Sequence, residues 1–235
     1  QMCIRDRLYP PVCPICGEVV NRDRKAGLCV NCVEKVKNVG SSFCMKCGKE
    51  LEGLHGEYCY DCGRINHIYD QAAAAFVYSQ GIKESIYRFK YKGKREYAEW
   101  YGKKMAELLG DRIKIWNPDV IIPVPIHKSR LKARGYNQAE LIADSLGKYT
   151  GIPVDRRLLV RDRKTVPMKE LEGVQRLKNI ENAFNICESI VEYNTVLVVD
   201  DIYTTGATVD ACAAVLRSHG VSKVYCACLC IGAGV

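Results

Sequence analysis

Eight cysteines in the first third of the chain have the spacing of metal ligands. They form four Cys-x2-Cys pairs, and 12, 11 and 11 residues separate successive pairs. Two thiolates two residues apart can point at one ion, and two such turns complete the tetrahedral four-thiolate set that Zn²⁺ prefers. The spacing therefore predicts two structural zinc ions, one bound by Cys13, Cys16, Cys29 and Cys32 and the other by Cys44, Cys47, Cys59 and Cys62.

The sequence alone leaves the pairing of these cysteines open. The second set of four repeats the first with an offset of 30 or 31 residues, which favours two sequential sites. Spacing also allows a cross-braced arrangement, in which alternating pairs bind each ion. Either arrangement would stabilise a segment of fewer than about 70 residues that has little apolar periodicity of its own.

A second group of reactive side chains follows an apolar run late in the chain. Residues 196–208 read VLVVDDIYTTGAT, which predicts a buried strand, two acids, a turn of small residues and a helix start. Free helix amides, threonine hydroxyls and a glycine that permits close approach suit a phosphate monoester. Asp200 and Asp201 would repel phosphate, but they suit sugar hydroxyls or a magnesium ion reached through water. The segment therefore predicts a site for a phosphorylated sugar.

The rest of the pattern predicts the elements that position these groups. From residue 69 onward, apolar runs of strand length alternate with amphipathic runs of helix length. This alternation indicates an α/β fold with a mostly parallel sheet flanked by helices, whose ligands lie beyond the carboxyl ends of the strands. Strands are predicted at residues 72–78, 120–124, 152–159, 195–199 and 224–229, and helices at residues 82–91, 96–109, 136–149 and 208–219.

Composition and charge narrow the class of protein. The 235 residues are 48% hydrophobic and 26% charged, which excludes a disordered or collagen-like chain. No uncharged apolar stretch reaches the roughly 18 residues of a membrane span, and no signal-peptide pattern is visible, so we expect a cytoplasmic protein. The net charge is +8, and +6 of it falls in residues 67–235, where an anion site is expected. We expect a non-native or disordered leader at residues 1–9, a zinc module at 10–66 and the α/β domain at 67–235.

These motifs together resemble a known family. Residues 196–208 are similar to the phosphoribosyl-diphosphate signature of type I phosphoribosyltransferases. Residues 123–139 (PVPIHKSRLKARGYNQA), together with the eight cysteines, resemble the ComF family of competence-associated proteins. The resemblance implies a double zinc ribbon followed by a type I phosphoribosyltransferase-like domain that binds phosphoribosyl diphosphate with Mg²⁺.

The resemblance also implies a role for each motif. Asp200 and Asp201 would hold the ribose hydroxyls, and the 5′-phosphate would bind to Thr204, Thr205, Gly206, Ala207 and Thr208. The diphosphate would contact Lys128, Arg130, Lys132 and Arg134, because guanidinium groups bind phosphate oxygens in bidentate fashion. Arg134 joins the two acids as a candidate catalytic residue. Basic residues at 156–178 resemble the family's mobile segment, although Met168 stands where we expect glutamine.

Two functions follow, and the sequence does not decide between them. The resemblance to the ComF family implies a factor in DNA uptake during natural transformation, with single-stranded DNA and a DNA-uptake helicase as partners. The alternative is a metabolic phosphoribosyltransferase that transfers the phosphoribosyl group to an unknown acceptor and releases diphosphate. Residues 83–104 carry eight basic residues interleaved with aromatic rings, which suits single-stranded nucleic acid but also an amphipathic helix.

Overall fold

The computed structural model describes residues 11–20, 27–51, 56–161, 183–187 and 192–232. In these residues a four-stranded parallel sheet has helices on both faces, and two cysteine clusters lie beside one edge of the sheet. The predicted fold class is confirmed. The expected leader at 1–9 and residues 162–178 of the basic segment at 156–178 lie outside the described residues.

The described elements follow the predicted order. In chain order they are α1 (Val30–Val33), β1 (Gln71–Val77), α2 (Gln80–Tyr91), α3 (Tyr97–Trp116), β2 (Val120–Pro123), α4 (Lys128–Arg134), α5 (Gln138–Thr150), β3 (Leu159–Arg161), β4 (Phe184–Ile186), β5 (Thr195–Tyr203), α6 (Ala207–Ser218) and β6 (Lys223–Ile231). Helix α3 runs beyond the predicted end at residue 109 and stops at Asn117, whose φ of 44° is left-handed. None of the helices in the described ranges is both long and apolar enough to cross a bilayer.

The main sheet has the strand order β1-β6-β5-β2, and all neighbouring strands are parallel. Its two central strands, β5 and β6, are apolar along most of their length, as strands covered on both faces must be. Helices α2, α3 and α5 pack on one face of the sheet, and α6 packs on the other.

The strand predicted at residues 152–159 was largely wrong. Only Val154 pairs with the main sheet, through a single parallel bridge to Ile121 on β2. Asp155 then ends the pairing, because its carboxylate accepts the backbone N–H groups of Arg157 at 2.8 Å and Leu158 at 3.1 Å in a tight turn. Strand β3 starts at Leu159 and pairs antiparallel with β4 in a separate two-stranded sheet.

The segment between the cysteine clusters covers the outer edge of β1. The N–H of Val39 donates to the carbonyl of Ala75 at 3.1 Å, and the N–H of Val77 donates to the carbonyl of Lys37 at 2.8 Å. The first cluster packs with α2 and α3, whereas the second packs on the α6 face of the sheet. The two cysteine clusters therefore lie on opposite faces of the sheet. The segment that joins them covers an edge of β1 that could otherwise pair with another chain.

Candidate functional site

The candidate site lies where the carboxyl ends of β2 and β5 meet. The helix that packs after β2 is α5, on one face of the sheet, whereas the helix after β5 is α6, on the other face. A crevice forms where connections leave a parallel sheet in opposite directions, and ligands of α/β sheets bind there. The short helix α4 follows β2 and the threonine loop follows β5, so both border this crevice.

The loop that follows β5 has the conformation of an anion cradle. Thr204 and Thr205 are exposed, and Gly206 has a left-handed φ of 79° and directly precedes α6. A Cβ at Gly206 would lie 2.5 Å from the hydroxyl oxygen of Tyr203 and 2.9 Å from Cε1 of His67, so only glycine fits. The first amides of α6 have no partners within the helix and point toward the loop. This geometry suits a phosphate group, as the sequence predicted.

The two acids at the end of β5 lie in different surroundings, because successive residues of a strand point to opposite faces. Asp201 is buried, and its Oδ2 lies 2.7 Å from Nζ of Lys90 on α2. Asp200 is half-buried on the α6 side, where its Oδ1 accepts the N–H of Asp201 at 2.8 Å. The carboxylate of Asp200 is therefore available to a ligand, whereas the carboxylate of Asp201 is already paired with the ammonium group of Lys90.

Burial, followed by the charge of Asp201, raises the pKa of Asp200 from 3.8 to about 7. The backbone N–H of Asp201 and the charge of Lys90 oppose this rise. A carboxyl with a pKa near 7 exchanges its proton readily at neutral pH. A bound cation or a set of sugar hydroxyls would favour its charged form.

The basic residues after β2 form helix α4, so Arg130 and Arg134 share one face at a spacing of four residues. Arg134 donates to Oε1 of Gln138 at 2.8 Å and to the hydroxyl of Tyr91 at 3.2 Å. Burial and, more weakly, the charge of Arg134 lower the pKa of Lys90, although its pairing with Asp201 raises that pKa overall. Burial lowers the pKa of Arg161 on β3, and the neighbouring positive charge of Arg130 lowers it further.

The remaining predicted basic residues lie at the rim. Lys128 and Lys132 are exposed to solvent on α4. His127 caps the helix, because its Nδ1 accepts the N–H of Ser129 at 3.1 Å. On α4 the two arginines are therefore partly buried, and the two lysines are its outer charges.

Sequence reasoning missed Lys90. The signal was present, since Lys90 follows Ile86 by four residues and so lies beside the apolar face of α2. A lysine so placed needs an acidic partner, and two acids without a predicted partner were already known from β5. No local pattern signals the pairs Tyr69–Tyr203 and His67–Asp210, because each joins residues more than 130 positions apart.

Each cysteine cluster has the geometry of a tetrathiolate metal site. Within each set of four, the Sγ atoms all lie within 4.8 Å of one another, and the sets are those of the sequential prediction: Cys13, Cys16, Cys29 and Cys32, and Cys44, Cys47, Cys59 and Cys62. The cross-braced alternative is therefore wrong. Side-chain hydrogen bonds from Cys47 and Cys62 hold the pKa of Cys44 well below its usual value. Four thiols that converge in this way fit structural Zn²⁺.

Comparison with known proteins agrees with this geometry. A model of the phosphoribosyl transferase domain matches residues 99–234, and a model of the double zinc ribbon domain matches residues 4–63. Competence protein F of Haemophilus influenzae is 31% identical over 156 residues, which cover 63% of this chain and 66% of that protein. Competence protein ComFC of Bacillus subtilis is 30% identical over 153 residues, or 64% of this chain and 59% of that protein.

Other matches cover less of the chain. DNA utilization protein YhgH of Escherichia coli (strain K12) is 34% identical over 113 residues, or 48% of this chain and 49% of that protein. The chain thus spans between about half and just under two thirds of these curated relatives. Among solved structures, a purine phosphoribosyltransferase from Pyrococcus horikoshii is 20% identical with a TM-score of 0.36, covering 56% of this chain and 74% of that one.

The phosphoribosyl transferase model covers more than half of the chain, and its matched range contains α4, β5, the threonine loop and α6. The cysteine clusters coincide with the double zinc ribbon. The predicted resemblance to ComF-type competence proteins is confirmed by the curated relatives. The chain therefore belongs to the phosphoribosyl transferase domain family, and it joins that domain to an N-terminal double zinc ribbon.

Proposed function

We propose that the crevice between β2 and β5 binds phosphoribosyl diphosphate together with Mg²⁺. The observation that carries this proposal is that three groups follow the carboxyl ends of the adjacent parallel strands β2 and β5. These groups are the left-handed Gly206 loop, the half-buried carboxylate of Asp200 and the paired arginines of α4. They match, in order, a terminal phosphate, ribose hydroxyls and a diphosphate.

In this arrangement the amides and hydroxyls of residues 204–208 donate hydrogen bonds to the 5′-phosphate. Asp200 accepts hydrogen bonds from the ribose hydroxyls, and Lys90 holds Asp201 in place beside it. Arg130 and Arg134 bind the diphosphate. Magnesium, when bound, neutralises charge on the diphosphate. If transfer occurs, the bond from C1 to the diphosphate oxygen breaks as the acceptor bonds to C1, and the arginines stabilise the departing anion.

Calorimetry with phosphoribosyl diphosphate and Mg²⁺ tests this proposal. We expect saturable binding by the wild type and at least about tenfold weaker binding by Asp200→Asn, because a hydrogen-bonded charged group is lost. Asp111→Asn is the matched control, since the Asp111 side chain on α3 is 99% exposed and distant from the sheet end. Absence of binding by folded wild-type protein, or equal loss in both variants, would contradict the proposed site.

We further propose that the protein contacts single-stranded DNA along α2, as a DNA-uptake factor. In the aromatic and basic segment at 83–104, Phe89, Tyr97 and Tyr101 are buried. Tyr87 and Tyr91 remain exposed with ring centroids 5.3 Å apart, and they line a groove of about 670 Å³. Lys83, Arg88, Lys92 and Lys94 also line this groove. Exposed rings among cations suit stacked bases and their phosphates, and two of the relatives are named competence proteins.

Fluorescence anisotropy with a labelled oligonucleotide tests the DNA contact. The double variant Tyr87→Ala/Tyr91→Ala should bind at least about tenfold more weakly, since stacking contributes about 1–3 kcal/mol per base. Tyr58→Ala/Tyr60→Ala is the control, because these two tyrosines of the second ribbon are similarly exposed, at 53% and 63% against 54% and 58%. Equal binding by both double variants would remove α2 from the interface.

A metabolic phosphoribosyltransferase remains the alternative. Release of diphosphate in the presence of a nucleobase or amine acceptor, with loss in Asp200→Asn, would favour it. Salt-sensitive DNA binding without turnover would favour the uptake factor. Complementation of a Bacillus subtilis strain that lacks ComFC tests the uptake role, and co-purification from that strain tests the proposed helicase partner.

A further inference from the structure

A continuous set of contacts, with the buried Tyr69–Tyr203 hydroxyl pair at its centre, joins the second cysteine cluster to the loop at residues 204–208. We infer that Tyr69, Tyr203 and His67 are positioning residues, which transmit the rigidity of this cluster to Gly206. The inference rests on the proposed phosphate site. It assigns to the second ribbon a role beyond its own folding, because the ribbon then sets the shape of the anion cradle.

The first link runs from the cluster to Tyr69. Lys46 lies between the ligands Cys44 and Cys47, and its Nζ donates to the carbonyl of Tyr69 at 2.5 Å. Its own carbonyl accepts the N–H of Ala72 at 2.7 Å. The metal turn is therefore bonded on both sides to the segment that leads into β1, and a metal that fixes the turn also fixes Tyr69.

The second link runs from Tyr69 to the loop. The hydroxyl oxygens of Tyr69 and Tyr203 lie 2.6 Å apart, and both side chains are buried. Tyr203 is the last residue of β5, and its hydroxyl lies 2.5 Å from where a Cβ of Gly206 would be. The paired hydroxyls thus form the floor beneath the left-handed glycine.

The third link fixes the start of α6. Asp210 lies in the first turn of this helix, and its Oδ2 is 2.7 Å from Nδ1 of His67. Its Oδ1 accepts the N–H of Ile68 at 2.7 Å. The His67 ring stacks on Tyr69 with a centroid distance of 4.9 Å, and its side chain is only 1% exposed. His67 therefore supports the loop from below and does not reach a ligand in the crevice.

These contacts matter because an anion cradle binds tightly only if its amides are already oriented. A loop that must be ordered on binding loses part of its interaction energy to that ordering. A left-handed glycine that follows two exposed threonines has few restraints of its own. The floor made by the Tyr69 and Tyr203 hydroxyls, together with the neighbouring His67 ring, supplies those restraints in the ligand-free protein.

The variants Tyr69→Phe and Tyr203→Phe test the inference, because each removes one hydroxyl and keeps the ring. We expect both to bind ribose 5-phosphate about three- to tenfold more weakly by calorimetry, as loss of one hydrogen bond predicts. We also expect faster amide hydrogen exchange in residues 204–209 of the ligand-free protein, with exchange in α5 unchanged. The double variant should lose no more than the worse single variant, because both remove the same contact.

Tyr97→Phe is the matched control. Tyr97 is a buried tyrosine that packs with the first cysteine cluster, and within the described residues its hydroxyl has no hydrogen-bond partner. Its removal should leave the exchange of residues 204–209 and the affinity for ribose 5-phosphate unchanged. A change in loop exchange as large as that in Tyr203→Phe would mean that any buried tyrosine has this effect, and the inference would fail.

A second pair of variants tests the metal end of the chain of contacts. Cys62→Ser and Cys16→Ser should each lower the zinc content by about one ion, yet only Cys62→Ser should raise exchange in residues 204–209. If the wild type fails to bind ribose 5-phosphate, the proposed site is wrong, but exchange in the ligand-free variants still decides whether the floor orders the loop. Unchanged loop exchange in both Tyr69→Phe and Tyr203→Phe would overturn the inference, and unchanged loop exchange in Cys62→Ser would overturn the role assigned to the second cysteine cluster.

Discussion

Replacing each acid at the end of β5 by asparagine should change stability in opposite directions. For Asp200, burial and then the charge of Asp201 raise the pKa in the folded protein to about 7, from 3.8. Folded protein therefore holds a proton that unfolded protein releases, so this group destabilises the fold as pH rises from about 4 to about 7. The full shift in the pKa of Asp200 corresponds to a loss of about 4 kcal/mol in the free energy of unfolding. Because the side chain is partly exposed, we expect a loss of about 2–4 kcal/mol.

Asp200→Asn removes this cost and keeps an oxygen that can accept the N–H of Asp201. We expect the variant to be about 2–4 kcal/mol more stable than wild type at pH 8. The gain should be smaller by about 1 kcal/mol at pH 6, where the folded carboxyl is mostly protonated. The same variant should bind phosphoribosyl diphosphate more weakly than wild type. A binding site often keeps a group that the ligand needs even though that group destabilises the fold.

Asp201→Asn has the opposite effect because it leaves Lys90 without its partner. The two groups lie 2.7 Å apart, with side chains 18% and 11% exposed. Breaking a buried ion pair from one side costs about 3–5 kcal/mol, since the remaining charge stays desolvated. Neighbouring residues of the same type should therefore differ in the sign of their effect.

Urea denaturation at pH 6 and pH 8, in buffer containing zinc and followed by the fluorescence of the two tryptophans, measures both effects. The reasoning is refuted if Asp200→Asn is less stable than wild type at pH 8. It is also refuted if the difference in free energy of unfolding between Asp200→Asn and wild type does not increase from pH 6 to pH 8. Equal destabilisation by both substitutions would show that the two acids share one environment.

Three further outcomes are expected. Gly206→Ala should lose about 1–3 kcal/mol of stability by urea denaturation and most of its affinity for ribose 5-phosphate, because φ is 79° and the new Cβ meets Tyr203; unchanged affinity would contradict the cradle geometry. Purified protein should contain about two zinc ions per chain by atomic absorption, and Cys13→Ser and Cys44→Ser about one each; loss of both ions from either variant would mean that the sites are not independent. Asn137→Ala should destabilise the fold by about 1 kcal/mol, because Asn137 caps α5 and donates to the carbonyl of Val124; a change below about 0.3 kcal/mol in thermal or urea unfolding would show that the cap contributes little.

Much of the fold could be read from local pattern. Strand β5 and helix α6 were predicted because an apolar run, two acids and a glycine turn are contiguous in residues 196–208. The prediction failed at residues 152–159, because Asp155 forms a turn whose effect depends on its own side-chain hydrogen bonds rather than on the apolar pattern around it. The end of α3 was also misplaced, since the stop signal at Asn117 lies beyond the charged turn at residues 111–114.

Three chemical features of this protein can be predicted from contiguous residues: eight thiols at metal-ligand spacing, two acids at a strand end and a threonine loop at a helix start. These features are local, so the order of residues along the chain is enough to define them. Three other features depend on packing between distant segments: which cysteines form one cluster, the pairing of Lys90 with Asp201, and the position of Tyr203 and His67 beside Gly206. Those contacts join residues far apart in the chain, and they form only when the packed faces of the sheet bring them together.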